Sequence, residues 1–259
     1  MVKGLYTAYT GMINEQNRMD IMTNNLANAS TVGYKKEGST SQSFDDVLTV
    51  KIKDQSVGMR NVQRLGVKNP GVKIGENYTD YSQGSFRITG NTYDLALSGE
   101  GFFAIEFTNK AGETDTKYTR AGQFTLNKDG YLVTEEGDYV LVTQNRRIRL
   151  NTLIDSSITD DGTIYQNGQA VAKIQVTDFE DYDYLEKYGE TYYQPIQGAK
   201  TIAAKAQVKS GYLEMANVQI VSEMVNLISI TRAYESNQKV VQTIDDTLDV
   251  AVNQIGRVQ

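Results

Sequence analysis

The 259-residue sequence contains no cysteine, no histidine and no tryptophan. Without cysteine there is no disulfide and no thiol chemistry. Without histidine the commonest general base and the commonest metal ligand are missing as well. Ser–His and Cys–His pairs are therefore impossible, and no lysine stands beside an evident nucleophile. Positive charge is also short: 26 Lys and Arg against 32 Asp and Glu leave a net charge of −6. That balance argues against nucleic acid or an anionic membrane as partner. No apolar run reaches the roughly 18 residues of a membrane-spanning helix. The opening MVKGLYTAYTGMINEQ lacks the apolar stretch and processing site of a secretory leader. On these grounds alone a cytoplasmic protein is expected.

Proline is nearly absent, and the two terminal stretches have none. In the C-terminal stretch, alternating steps of three and four residues connect Ile220, Glu223, Leu227, Ile230, Tyr234, Asn237, Val241, Ile244, Leu248, Ala251, Ile255 and Val258. A seam of that period predicts one long helix that meets other helices along its length. Leu5, Ala8, Met12, Glu15, Met19, Met22 and Leu26 repeat the spacing near the N-terminus, before the turn formers Ser30, Thr31 and Gly33. The two helices are expected to pack as a coiled-coil-like stalk. Glu223 and Asn237 are the polar members of the longer seam. They either reach water at the bundle edge or fix register, as buried polar residues do in coiled coils. Val221, Met224, Val225 and Ile228 widen the apolar surface beyond what one partner helix covers, which points to self-association or a filament.

Between the helices the pattern changes twice. Residues 34–76 are polar and of mixed charge, and predict an extended arm with one short helix or strand near Phe44–Ile52. More than 30 structureless residues would be unusual in a compact domain, so the arm is expected to order against a neighbour. Residues 77–209 show period-two runs punctuated by Lys128-Asp129-Gly130, Glu136-Gly137, Asp160-Asp161-Gly162 and Asn167-Gly168. Asn-Gly is a strong type I′ hairpin signal. The stretch predicts an all-β domain, with the acidic, tyrosine-rich Asp178–Glu190 as a surface loop. The expected fold is α+β: an N-terminal helix (1–33), the arm (34–76), the β domain (77–209) and a long C-terminal helix (210–259).

Little in the chain offers chemistry. Gly99-Glu100-Gly101 runs into Phe102 and Phe103, a strand pattern where a dinucleotide fingerprint needs a helix, so it reads as a tight turn. Asp160-Asp161-Gly162 lacks the spacing of a calcium loop. Asp181 and Asp183 read as solvated. Asn28-Ala29-Ser30 reads as helix-end chemistry. No catalytic residue, cofactor, metal or small-molecule substrate is expected. An enzyme on the β domain would have to use carboxylates such as Asp94 and Glu100.

Three blocks carry a family likeness. Thr10–Lys36 contains Asn24, Asn25, Leu26, Ala27, Asn28, Thr31, Gly33 and Tyr34. Gly90–Ile105, with Asp94, Gly99, Gly101, Phe102 and Phe103, is followed by Tyr118–Thr134. Ser210–Asp246 contains Gly211, Leu213, Glu214, Asn217, Val218, Glu223, Arg232, Tyr234, Glu235 and Asn237. In order and spacing these resemble the signatures of the axial rod and hook proteins of the bacterial flagellum. Ala216 departs from a serine frequent there. Length and a single β domain resemble the rod members, distal or proximal, more than the longer hook members. The resemblance implies a structural subunit of a helical tube outside the cytoplasmic membrane, with no catalytic activity and no cofactor. It further implies export unfolded through the flagellar type III apparatus, without signal cleavage. The implied partners are copies of the chain and other rod and hook proteins.

Overall fold

A computed structural model describes residues 2–52, 62–109, 112–143 and 146–255. They form an α+β protein with one helix at each end of a large β region. The chain divides into two compact units. One holds Met1–Leu26, Glu37–Asp80 and Ile220–Gln259, and the other holds Ala27–Lys36 and Tyr81–Gln219. The expected tip of the arm, around residues 53–61, lies outside the described residues, as does Val258.

In the first unit, α1 spans Val2–Ala27 and α2 spans Ile220–Val250, followed by a π-helical turn at Ala251–Ile255. At about 1.5 Å per residue, both exceed the ordinary globular helix by a wide margin. Helices of this length need tertiary cover for most of their stability. Neither is apolar enough to cross a membrane. The N-terminal helix stops at Ala27, where Asn28 takes over: its carbonyl accepts the Thr31 N–H (3.0 Å) and its Oδ1 accepts the Thr31 hydroxyl (3.1 Å). The C-terminal helix begins only at Ile220. Residues 210–219 are not helical, because Gln207–Ser210 and Tyr212–Glu214 pair as strands instead.

The arm is a β-ribbon. Glu37–Ser43 pairs antiparallel with Val72–Thr79, and Val47–Ile52 with Val62–Lys68. Asn69 Nδ2 donates to Phe44 O (2.8 Å) and Phe44 N–H to Gly71 O (3.0 Å), which join the two ladders. A two-stranded ribbon is marginal alone in water, and here Val47, Leu48 and Val67 stand exposed.

The second unit is all-antiparallel. Its largest sheet runs in the order Leu185–Tyr188, Tyr192–Pro195, Thr114–Thr119, Phe102–Thr108, Tyr139–Val142, Leu132–Thr134, Phe124–Leu126, with further strands branching from it. Alternation along Phe102–Thr108 feeds two cores: Phe103 packs with Leu95, Phe124 and Leu132, while Phe102 and Ala104 pack with Tyr118, Phe179 and Tyr193. A three-stranded meander, Ser156–Ile158, Thr163–Gln166 and Gln169–Lys173, turns at Asn167-Gly168 with φ of 50° and 76°. Two positive φ values are what a type I′ turn requires. Gly101 packs against Ala204, next to the Thr201–Ala203 strand: a Cβ there would lie 2.9 Å from Ala204 Cβ.

The acidic segment Asp178–Glu190 is not a surface loop. It holds a turn at Tyr182–Tyr184 and the edge strand Leu185–Tyr188. Phe179 and Leu185 enter the second core, and the Tyr182 ring lies 4.9 Å from Tyr81 and 5.8 Å from Phe102. Its carboxylates alternate with aromatic residues, so the composition looks solvated while one side is buried.

Candidate assembly site

Along α2 the side chains with least exposure are Glu223 and Ile230, both buried, then Leu227, Thr231, Ala233, Tyr234, Asn237, Val241, Ile244 and Leu248, all half-buried, as is Ala251 just beyond it. Ile220 is exposed, and nothing is described of the Ile255 side chain. On α1, Leu5, Met12, Met19, Met22 and Leu26 are half-buried and Ala8 is buried. The two helices meet inside the first unit through small residues. A Cβ on Gly4 would lie 3.6 Å from Ile244 Cδ1, and one on Gly11 would lie 3.0 Å from Asn237 Nδ2. One pair advances along α1 while the other retreats along α2, so the helices run antiparallel there. Glycine inside a helix costs about 1 kcal/mol relative to alanine. At Gly11 it lets Asn237 approach closely, whereas a Cβ on Gly4 would make an ordinary contact with Ile244. A search for apolar periodicity passes over glycines, although their seven-residue spacing matches that of Asn237 and Ile244.

The ribbon is tied to α1 by amide side chains. Asn25 is closed to solvent. Its Nδ2 donates to Glu37 O (2.7 Å) and its Oδ1 accepts Glu37 N–H (2.9 Å), so the side chain pairs with the start of the ribbon as a neighbouring strand would. Asn14, also buried, pairs with Ser41 (Nδ2 to Oγ, 3.0 Å). Thr7 Oγ1 donates to Pro70 O at 3.3 Å. Polar positions on the helix therefore hold the ribbon. Of the other motif residues, Asn24 and Ala27 on α1 and Arg232 on α2 are exposed.

The second unit gathers residues from all three motif blocks around one carboxylate. Glu214 is closed to solvent. Its Oε1 accepts Lys35 Nζ (2.7 Å) and the Gly84 N–H (3.0 Å), and its Oε2 accepts Arg120 Nη1 (3.3 Å). Lys35 also donates to Ser82 O at 2.8 Å. The Arg120 guanidinium lies 5.2 Å from the Phe102 ring centre. Two cations and one carboxylate are thus buried together, an arrangement that holds only while every member is present. Gly33 lies flat against the Arg120–Ala121 peptide, where a Cβ would overlap the Ala121 nitrogen. Asn217 Oδ1 accepts the Lys36 N–H at 2.8 Å. The sequence singles out Tyr34, Gly33, Glu214 and Asn217 as motif residues but does not join them. The usable signal is complementary charge in three separate blocks: Lys35, Arg120 and Glu214.

The remaining electrostatics are local. Arg147 donates twice to Glu106 (2.9 and 2.8 Å), and that bond holds the Glu106 carboxyl below the usual range. Lys117, 2% exposed, sits 3.7 Å from the Phe107 ring centre, and burial pushes its ammonium down. Burial also pushes the Tyr192 hydroxyl well up; Asp138 Oδ2 accepts it at 2.9 Å. Asp94 is buried and accepts Asn91 Nδ2 (3.2 Å), whereas Glu100 is exposed. Among the described residues no group of three or more Asp or Glu side chains is placed to hold a metal ion.

Comparison with known proteins places these blocks. A family described as flagella basal body rod protein matches residues 5–35. One described as the flagellar hook protein FlgE/F/G D1 domain matches 96–166, and the flagellar basal body rod FlgEFG protein C-terminal family matches 209–255. The chain is 34% identical to the flagellar basal-body rod protein FlgG of Bacillus subtilis, over 98% of this chain and 99% of that one. It is 35% identical to FlgG of Caulobacter vibrioides, over 95% and 97%, and 31% identical to FlgF of the same organism, over 100% of both.

Proposed function

The chain belongs to the flagellar basal-body rod protein family and is a structural rod subunit of the flagellar basal body; we propose that its terminal helices join those of neighbouring copies in a coiled-coil-like stalk. Other flagellar axial proteins flank it. In this reading, copies add head to tail with a rotation that does not close, and build an open helical tube. The tube transmits torque from motor to hook and encloses part of the export channel. The seam residues of α1 and α2 line its inner wall, and the ribbon reaches toward a neighbour. The chain arrives through the type III export apparatus without cleavage of a signal, and it has no catalytic role.

One observation supports this reading above the rest. Among the described residues, the first unit contributes only Ala8 and Ile230 to the buried apolar residues, yet leaves Tyr6, Tyr9, Val221, Met224, Val225 and Ile228 exposed. Apolar surface of that extent on two helices calls for cover by other subunits. A single-cysteine label tests the location. The chain has no cysteine of its own, and Leu153 in the second unit is 93% exposed. Leu153→Cys, labelled with maleimide–gold in isolated basal bodies, is expected to decorate the rod. Label confined to the hook, or absent from basal bodies, would refute the assignment.

A further inference from the structure

The segment Gln207–Asn217 closes the second unit from its C-terminal end. Gln207–Ser210 pairs with Leu95–Ser98, and Tyr212–Glu214 with Phe86–Ile88, each as a two-stranded sheet. Gly211 N–H donates to Asp94 O (2.8 Å), Met215 N–H to Ser85 O (2.9 Å) and Gly33 N–H to Glu214 O (2.8 Å). One segment thus holds both the early strands of the unit and the stretch that enters it, Gly33–Lys36.

Charge makes the order of arrival matter. Lys35 and Arg120 carry two positive charges to a place closed to water, and the Glu214 carboxylate pairs with both. A buried cation without its anion costs far more than the intact pair gains. Until Glu214 is in place, Lys35 and Arg120 are held in water, and Gly33–Lys36 has no stable seat. We infer that Glu214 is a keystone that gates docking of Gly33–Lys36, so that the first and last segments of the unit lock together after its core has formed. Wherever the chain is delivered N-terminus first, the N-terminal motif then stays uncommitted until residue 214 has emerged.

Pulsed hydrogen exchange during refolding of the full chain tests this. The Ala104, Leu132 and Thr134 amides, which donate to the carbonyls of Gln175, Ile148 and Asp138, are expected to gain protection first; Gly33, Gly211 and Met215 follow later and together. Glu214→Gln is expected to leave the early phase unchanged and to cut final protection at Gly33 and Met215 by about 100-fold or more. The uncharged triple variant Lys35→Met, Arg120→Met, Glu214→Leu is expected to regain that protection. If Gly33 is protected in step with the core, if Glu214→Gln keeps wild-type protection, or if the triple variant stays open, the inference is overturned. Should Glu214→Gln fail to fold, the wild-type order and the triple variant still decide.

Discussion

Phe102, Phe103, Ala104 and Ile105 are four consecutive residues closed to solvent in the second unit. In the first unit, Val221, Met224, Val225 and Ile228 share two turns of α2 and are 77, 48, 61 and 54% exposed. Both sets of side chains are apolar. They differ in what surrounds them. The strand is covered on both faces by its own chain, while the helix meets α1 near Asn237 and Ile244 and leaves these four side chains exposed. Full burial of a Val, Ile or Met side chain stabilises by about 1.5–3 kcal/mol, so several kcal/mol of helix stability await a partner. One unit covers its apolar strand within the chain, and the other leaves apolar helix surface open.

The sharpest break in this contrast comes from the second unit. Gly130 has a φ of 81°, and a Cβ there would overlap Leu150 O. Gly130→Val is expected to cost about 3 kcal/mol or more, seen as a lost thermal transition of the unit. Gly168→Val, where no atom lies within 4 Å of the added Cβ, pays only for the turn conformation, about 1–2 kcal/mol. Next comes Asn25→Ala in the first unit. It removes both bonds to the backbone of half-buried Glu37, at a cost of about 1–3 kcal/mol. Hydrogen exchange should rise along Glu37–Ser43 and leave the Phe102–Thr108 strand unchanged.

Replacing both Glu223 and Asn237 by leucine is expected to separate folding from assembly. The free chain should melt at or slightly above the wild-type temperature, since two polar groups no longer need burial. Register is lost with them, so aggregation should rise and motility fall. Wild-type motility would mean that the apolar positions alone set register. The smallest effect is a pH dependence. The Glu106 carboxyl titrates below its unfolded value, so its bond to Arg147 stabilises fully above the unfolded carboxylate range and is lost as pH falls through the folded pKa. This exposed-side pair is worth about 1 kcal/mol or less. Glu106→Gln should flatten the acid limb of the melting curve only slightly.

Much of the architecture was legible in the sequence. Proline-free heptads marked the helices, and Asn167-Gly168 marked its hairpin. What escaped notice depends on residues far apart in the chain. The partner of Glu37–Ser43 is some thirty residues downstream, and neither strand alternates cleanly. Lys35 and Glu214 are separated by 179 positions, so nothing local in either block hints that they share a buried site. Gly11 was invisible to a count of apolar side chains, because its contribution is the absence of one. The aromatic half of Asp178–Glu190 was masked by its acidic half.

Hydrogen exchange read by mass spectrometry, on the free chain and on assembled rods, tests the contrast between the units most directly. In the free chain, the amides of Ile220–Val250 are expected to exchange at least about 100-fold faster than those of Phe102–Thr108, because the helix lacks its cover. In rods the two should approach each other while the strand stays unchanged. Equal protection of helix and strand in the free chain would contradict the account, since the first unit would then be complete without its neighbours.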